Sequence, residues 1–266
     1  MTALEKINNI QKQNNSLLCV GLDSDLSKIP EHLGNDVDAL LEFNKAIIDS
    51  TKDLVCAYKI NYAFYEQYGV EGFKVLKETF DYIPKDIFTI ADAKRGDIGN
   101  TSSAYAKSVF EYFKADSITV NPYMGKDSVA PFLEFKDKMV FLLAITSNSG
   151  SNDFQRIVSN GKSLYQSVIE TSMNWSGKEQ LGYVIGATHP QELKDIRKII
   201  PEHCLLIPGI GSQGGSIGDA ISANSGGPAI INVSRDIIYA SKDTNFADAV
   251  RKKTEYYRNA FNSAGK

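Results

Sequence analysis

Short apolar runs alternate along this chain with longer segments in which apolar residues recur every three or four positions. The short runs predict buried parallel strands, and the longer segments predict helices that connect one strand to the next. In one such segment Ala106, Val109, Phe110 and Phe113 form a helical stripe. We count eight apolar runs, at residues 17–22, 54–60, 87–93, 117–121, 139–146, 182–187, 205–210 and 229–233.

Eight strands, each followed by a helix, are the number that closes a (β/α)8 barrel. A chain of 266 residues is the usual size of one such barrel. The sequence therefore predicts an α/β protein with a single (β/α)8 TIM-barrel domain over residues 1–266. Two segments after predicted strands stand out: residues 147–161 predict a long irregular excursion, and residues 209–218 are rich in glycine.

Charge and composition narrow the class of protein. The 29 Lys and Arg residues nearly balance 32 Asp and Glu residues, and neither end carries a basic tract, so no nucleic-acid partner is expected. A polar N-terminus and the lack of a long apolar stretch predict a soluble, cytoplasmic protein without a membrane partner. Cys19, Cys56 and Cys204 are far apart in apolar runs, which favours buried core residues over a disulfide or zinc cluster.

Charged residues gather where the first three predicted strands end. Asp23 ends the first run, Lys59 and Asn61 end the second, and Asp92 and Lys94 end the third. The side-chain period of two in a strand places Asp92 and Lys94 on one face, pointing into the barrel mouth. This end of a barrel carries the active site. A salt-bridged plug is the alternative, but buried ion pairs contribute little net stability, which favours a catalytic cluster.

The last two predicted strands end in residues suited to an anion. Gly209, Gly211, Gly214 and Gly215 leave backbone N–H groups accessible, and Arg235 offers a planar guanidinium. Glycines alone are a weak signal, since they also occur in plain loops. Together with Arg235 they match the recurring phosphate position of this barrel.

Residues 92–101, with the sequence D-A-K-R-G-D-I-G-N-T, resemble the D-x-K-x-x-D-I-x-x-T signature of the orotidine 5'-monophosphate decarboxylases. The K-R-G-D form is similar to that of the longer bacterial branch of this family. Further similar segments follow in the family's order: Gly21-Leu22-Asp23, Lys59-Ile60-Asn61, Asn121-Pro122-Tyr123, Thr146-Ser147-Asn148, Pro208-Gly209-Ile210-Gly211 and Asn232-Val233-Ser234-Arg235.

The resemblance implies a decarboxylase that makes uridine 5'-monophosphate from orotidine 5'-monophosphate in pyrimidine biosynthesis, with no cofactor and no metal. Lys94 would donate a proton to C6 of the pyrimidine, and Asp92 would face the substrate carboxylate. Lys59 and Asp23 would hold the ribose and complete the charge network. Asp97 and Thr101 would reach into the neighbouring subunit's site, so a homodimer with shared active sites is expected. Their spacing of four places both on one face of a helix expected to begin after Gly96.

The same resemblance implies the remaining substrate contacts. Ser147 would contact the pyrimidine edge, Gln213 would close over the phosphate with its loop, and Arg235 would bind the phosphate directly. Asn61, Pro208 and Ser234 complete the expected substrate-binding set. Ser234 stands where the shorter branch of the family often has glycine.

Three alternatives differ in their chemistry. A magnesium-dependent sugar-phosphate decarboxylase or aldolase of the same barrel superfamily shares D-x-K-x-x-D, but Lys59 stands where that family uses a carboxylate and would repel the metal. An inert nucleotide-binding barrel would be expected to have lost part of the charged set. A Schiff base on Lys94 needs an uncharged amine, which two neighbouring aspartates oppose.

Overall fold

The predicted alternation of strands and helices is present in the computed structural model, which describes residues 1–211 and 214–265. Among these residues, eight parallel strands close into a barrel and two further strands form a hairpin. The strands are β1 Leu18–Gly21, β2 Ala57–Asn61, β3 Phe88–Arg95, β4 Ser117–Val120, β5 Met139–Ile145, β6 Val158–Ser159, β7 Lys162–Ser163, β8 Leu181–Ile185, β9 Leu205–Pro208 and β10 Ala229–Val233. Around the barrel the order is β1, β2, β3, β4, β5, β8, β9 and β10, and β10 pairs with β1. The predicted TIM barrel is confirmed.

Helices precede, connect and follow the barrel strands. Their bounds are α1 Ala3–Asn14, α2 Asp38–Thr51, α3 Ala63–Glu66, α4 Gly69–Tyr82, α5 Gly99–Lys107, α6 Lys126–Leu133, α7 Ser151–Phe154, α8 Leu164–Ser172, α9 Pro190–Ile199, α10 Ile217–Asn224, α11 Arg235–Ile238 and α12 Phe246–Ala264. A 3₁₀ turn spans Glu31–Leu33, and a π-helical turn at Ser108–Tyr112 continues α5. None of the described helices is long and apolar enough to cross a membrane.

The core forms because the strands are apolar on both faces while each helix buries one stripe. The predicted stripe of Ala106, Val109, Phe110 and Phe113 is buried against the barrel. Cys19, Cys56 and Cys204 are free and fully buried, as predicted. Burial raises the pKa of the Cys56 and Cys204 thiols to about 12, so both remain protonated apolar core residues.

The excursion expected to be irregular, residues 147–161, is partly ordered. It contains α7 and enters a hairpin in which Val158 pairs with Ser163 and Ser159 with Lys162. Asn160 and Gly161, both at positive φ (52° and 77°), form the two-residue turn. An Asn-Gly pair is a strong hairpin signal because both residues tolerate this conformation, and the prediction of an irregular segment overlooked it.

An irregularity between β3 and β4 shapes the mouth of the barrel. Ala91 pairs with Ile118, but the next paired residues are Arg95 and Val120, so three residues of β3 face one of β4. Within this bulge Lys94 has a φ of +46°, in the left-handed region that non-glycine residues rarely adopt. The strand period of two therefore fails just where it was used to place Asp92 and Lys94, and the bulge determines their directions instead.

Candidate active site

A cavity of about 280 Å³ opens at the C-terminal ends of the barrel strands. It contains most of the predicted catalytic residues, contributed by β2 and β3, together with predicted binding residues after β1, after β5 and at the end of β9. The lining residues are Asp23, Lys59, Asn61, Asp92, Lys94, Thr119, Leu143, Thr146, Ser147, Asn148, Val184, Leu206, Pro208 and Asn232. We call this the first cavity.

Four charged side chains of alternating sign form one array in the first cavity. The Lys59 Nζ lies 3.1 Å from Asp23 Oδ1 and 3.1 Å from Asp92 Oδ2. The Lys94 Nζ lies 2.6 Å from Asp92 Oδ1. The order Asp23, Lys59, Asp92, Lys94 gives each buried charge an opposite neighbour, which offsets part of the cost of removing it from water.

The two buried members of the array, Lys59 and Asp92, are held in their charged forms. Burial alone would raise the pKa of Asp92, but Lys59 and Lys94 outweigh that effect and hold this pKa well below its usual range. Burial would lower the pKa of Lys59, yet Asp23 and Asp92 raise it well above the ordinary lysine value. Lys59 is therefore a fixed ammonium and Asp92 a fixed carboxylate at neutral pH.

Lys94 differs from Lys59 in its access to the cavity. The Lys94 side chain is 50% exposed, whereas that of Lys59 is 6% exposed. Among the described residues, the Lys94 ammonium contacts Asp92 alone, so it has donors left for a bound molecule. Lys94 is thus the cation of the array that can meet a ligand.

A second cavity of about 260 Å³ adjoins the first. Its lining residues are Asp23, Lys28, Asn61, Phe64, Pro208, Gly209, Ile210, Asn232, Ser234 and Arg235. Arg235 is exposed, and its guanidinium has no hydrogen bond or ion pair with any residue in 1–211 or 214–265. Gly209, at a φ of 106°, adopts a backbone that other residues rarely take. An exposed guanidinium at the edge of a cavity suits an anionic group.

Ser234, a predicted substrate contact, lines the second cavity and is hydrogen-bonded within the fold. The Ser234 hydroxyl donates to the Gly21 carbonyl oxygen at 3.0 Å, so in this conformation it ties β10 to β1. A Cβ on Gly21 would lie 2.7 Å from the Ser234 Cβ, so only glycine fits there. Gln213, expected to close over the phosphate, lies outside the described residues.

The two cavities share Asp23, Asn61, Pro208 and Asn232. They therefore form one continuous site with the ion-pair array at one end and Arg235 at the other. Such a site fits an elongated molecule with a polar middle and an anionic end.

Asp97 and Thr101 do not join either cavity of their own chain. Asp97 accepts a hydrogen bond from the Ile98 N–H at 2.8 Å, and Thr101 is exposed on α5. The helix begins at Gly99 and not after Gly96, because Ile98 is extended (φ −116°, ψ 158°). The expectation that Asp97 lies on this helix is therefore wrong; it precedes the helix by two residues.

Four polar residues of the first cavity were not among the predicted site residues: Thr119, Thr146, Asn148 and Asn232. The Thr119 hydroxyl donates to Asp92 Oδ1 at 2.9 Å. The Asn232 side chain is buried, and its Oδ1 has no partner among the described residues. Thr146, Asn148 and Asn232 lie in segments that carry the family resemblance, whereas Thr119 was not singled out at all. Thr119 is a polar residue near the end of an apolar run, the same signal that identified Lys59, so applying that criterion to every run would have found it.

Comparisons with known proteins agree on one family. A family model described as "Orotidine 5'-phosphate decarboxylase / HUMPS family" matches residues 16–250. The chain is 54% identical over 246 residues to the orotidine 5'-phosphate decarboxylase of Flavobacterium johnsoniae, covering 91% of this chain and 90% of that protein. It is also 54% identical to that of Christiangramia forsetii, covering 97% of each.

Solved structures agree with these sequence relatives. The Leishmania donovani OMP decarboxylase superposes with a TM-score of 0.83 at 37% identity, covering 97% of this chain and all of that one. The Leishmania donovani UMP synthase gives a TM-score of 0.87 at 38% identity, and 98% of this chain corresponds to 57% of that longer chain.

Proposed function

The chain belongs to the orotidine 5'-phosphate decarboxylase / HUMPS family, and we propose that it converts orotidine 5'-monophosphate to uridine 5'-monophosphate and CO₂ in pyrimidine biosynthesis. It is a carboxy-lyase, and we propose a cytoplasmic location, a small-molecule substrate and no nucleic-acid partner. The observation that carries the proposal is the array Asp23, Lys59, Asp92 and Lys94 in a cavity continuous with Arg235.

The shape of the site suggests how the nucleotide binds. The pyrimidine would occupy the first cavity, with its carboxylate beside Asp92 and its C6 facing Lys94. The ribose would lie where the cavities meet, near Asp23, Lys59 and Asn61. Ser147 and Pro208 would contact the pyrimidine, and the phosphate would lie in the second cavity against Arg235, Ser234 and the loop that carries Gln213.

The reaction needs a cation at C6. When the bond between C6 and the carboxylate breaks, its electron pair remains on C6 in the plane of the ring, where the pyrimidine cannot delocalise it. The Lys94 ammonium stabilises this charge and then transfers a proton to C6, after which the neutral amine regains a proton from water. Because the array is already ordered and charged, little reorganisation is needed during the step.

Asp92 has a second consequence for the substrate. Its fixed negative charge next to the substrate carboxylate is an unfavourable contact that ends when neutral CO₂ forms. Binding energy for placing the carboxylate there can come from the phosphate, which is held far from the reacting carbon. This use of binding energy requires the phosphate-binding end of the site to belong to the same continuous cavity as the array.

We also propose a homodimer with shared active sites. Asp97 and Thr101 lie outside their own cavities, on a surface that carries exposed apolar side chains of the loops after β3 and β4. Ile98, Tyr123 and Met124 are 51%, 87% and 46% exposed, respectively. A second copy that covers this surface would remove apolar area from water and receive Asp97 and Thr101 in its own site.

The magnesium-dependent alternative conflicts with the position of Lys59. A divalent cation held by Asp23 and Asp92 would need the space between these carboxylates, which the Lys59 Nζ occupies at 3.1 Å from each. We therefore expect the purified protein to decarboxylate orotidine 5'-monophosphate at the same rate with and without excess EDTA, followed by the loss of substrate absorbance. Activity that EDTA abolishes and Mg²⁺ restores would favour the metal-dependent alternative.

The role of Arg235 predicts a loss that depends on the phosphate. Arg235→Ala removes a charged, bidentate donor, so kcat/KM for orotidine 5'-monophosphate should fall roughly 100-fold. The phosphate-free nucleoside orotidine is the matched control, because its kcat/KM should be nearly the same for wild type and variant. An equal loss with both substrates would show that Arg235 does not act through the phosphate.

A further inference from the structure

The backbone of Lys94 is in an unfavourable conformation that requires support from its surroundings. Its φ of +46° lies in the left-handed region, which is sterically unfavourable for a non-glycine residue. The bulge also removes the regular ladder contacts between β3 and β4 at this point. Some other group must therefore satisfy the Lys94 N–H and hold the residue in place.

Thr119 on β4 supplies that group. The Lys94 N–H donates to Thr119 Oγ1 at 3.0 Å, and the Thr119 hydroxyl donates to Asp92 Oδ1 at 2.9 Å. The same Asp92 Oδ1 accepts from the Lys94 ammonium at 2.6 Å. Thr119 is thus linked to Lys94 in two ways. It accepts a hydrogen bond from the Lys94 backbone, and it shares Asp92 Oδ1 as an acceptor with the Lys94 ammonium.

The direction of these hydrogen bonds follows from the charges. Asp92 is ionised and can only accept, so the single hydroxyl proton of Thr119 points to its carboxylate. The oxygen of the hydroxyl is then left to accept the backbone N–H of Lys94. Thr119 is 1% exposed, so water does not replace either contact.

We infer that Thr119 is a positioning residue for the decarboxylation. It fixes the bulged backbone of Lys94, and it fixes the Asp92 carboxylate that orients the Lys94 ammonium. The inference rests on the proposed role of Lys94. If the Thr119 hydroxyl had a structural role alone, its loss would affect only folding. Both of its partners, Asp92 and Lys94, belong to the charged array. Its loss should therefore affect the reaction more than nucleotide binding.

The test compares Thr119→Val, which keeps the side-chain shape and removes the hydroxyl, with Thr119→Ser, which keeps the hydroxyl. We expect T119V to lower kcat roughly 10- to 100-fold and to change the dissociation constant of uridine 5'-monophosphate, measured by calorimetry, by less than about threefold. T119S should recover kcat to within about threefold of wild type. Thr254→Val is the matched control, since it removes a buried hydroxyl that donates to the Val250 carbonyl in α12, away from the site.

The outcomes separate this inference from the proposed function. If wild type decarboxylates the substrate and Lys94→Ala does not, T119V with wild-type kcat overturns the role of Thr119 alone. Failure of T119S to restore kcat while it melts like wild type also overturns it. If wild type is inactive, or Lys94→Ala remains active, the proposed function or mechanism fails instead. Should T119V not fold, Thr119→Ala takes its place in the same comparison.

Discussion

Replacing Lys94 with alanine is expected to lower kcat for decarboxylation by at least about 10⁴-fold, because one change removes both the cation beside C6 and the proton donor. Electrostatic stabilisation and proton transfer each contribute large factors to such reactions, and no other described cation of the array is accessible: Lys59 is buried between two carboxylates. The measurement is single-turnover conversion of orotidine 5'-monophosphate by the purified variant.

The fold should survive this change. In K94A the Asp92 carboxylate keeps its contacts with Lys59 and Thr119, so no buried charge loses all its partners. We expect the circular dichroism spectrum to match wild type and uridine 5'-monophosphate to bind still. Lys178→Ala is a suitable control, because this lysine pairs with Glu202 at the surface. Near-full activity of K94A would refute the assigned role.

The barrel itself could be predicted because it depends on a local signal repeated many times. Most residues of each strand are buried, so each strand appears in the sequence as a short, mainly apolar run, and the eight runs recur at intervals that leave room for a helix. The exact ends of the strands were predicted less well. The predicted run 54–60 corresponds to the strand Ala57–Asn61, because Leu54 and Val55 are already buried before the strand begins. A residue can be buried without pairing with a neighbouring strand, and the pattern of apolar residues indicates only which residues are buried.

The site was predictable where strand ends carry charge, and less so where the geometry depends on pairing between strands. Lys59 and Asp92 follow from the position of strand ends in a barrel. The contact between Thr119 and Asp92 joins residues 27 positions apart and depends on a register shift that no local pattern encodes. The bulge also means that Asp92 and Lys94 share the cavity for a different reason than the strand period suggested.

Active sites that are shared between two subunits are only indirectly visible in the structure of one subunit. Asp97 and Thr101 look like ordinary surface residues when the chain is viewed alone. The physical argument comes from Ile98, Tyr123 and Met124 in the loops after the neighbouring strands β3 and β4, because large exposed apolar side chains are typical of an interface. The proposed sharing of sites can therefore be decided only by an experiment that separates one subunit's contribution from the other's.

Mixing two inactive variants is expected to restore activity if the sites are shared. Lys94→Ala disables the site of its own chain, whereas Asp97→Ala would disable the site of the partner. In a mixed dimer both defects fall in one site, and the other site receives an intact Lys94 and an intact Asp97. With random exchange of subunits half of the dimers are mixed, each with one of its two sites intact, so the mixture should reach about one quarter of wild-type activity.

The matched control mixes Lys94→Ala with Arg235→Ala, since both residues line the cavities of the same chain. In that mixed dimer each site carries one defect, so no activity should return above that of the R235A subunits alone. Sedimentation establishes that the mixture is dimeric, and unfolding and refolding the two variants together ensures exchange. If the K94A and D97A mixture is no more active than its separate components, Asp97 acts within its own chain and the sites are not shared.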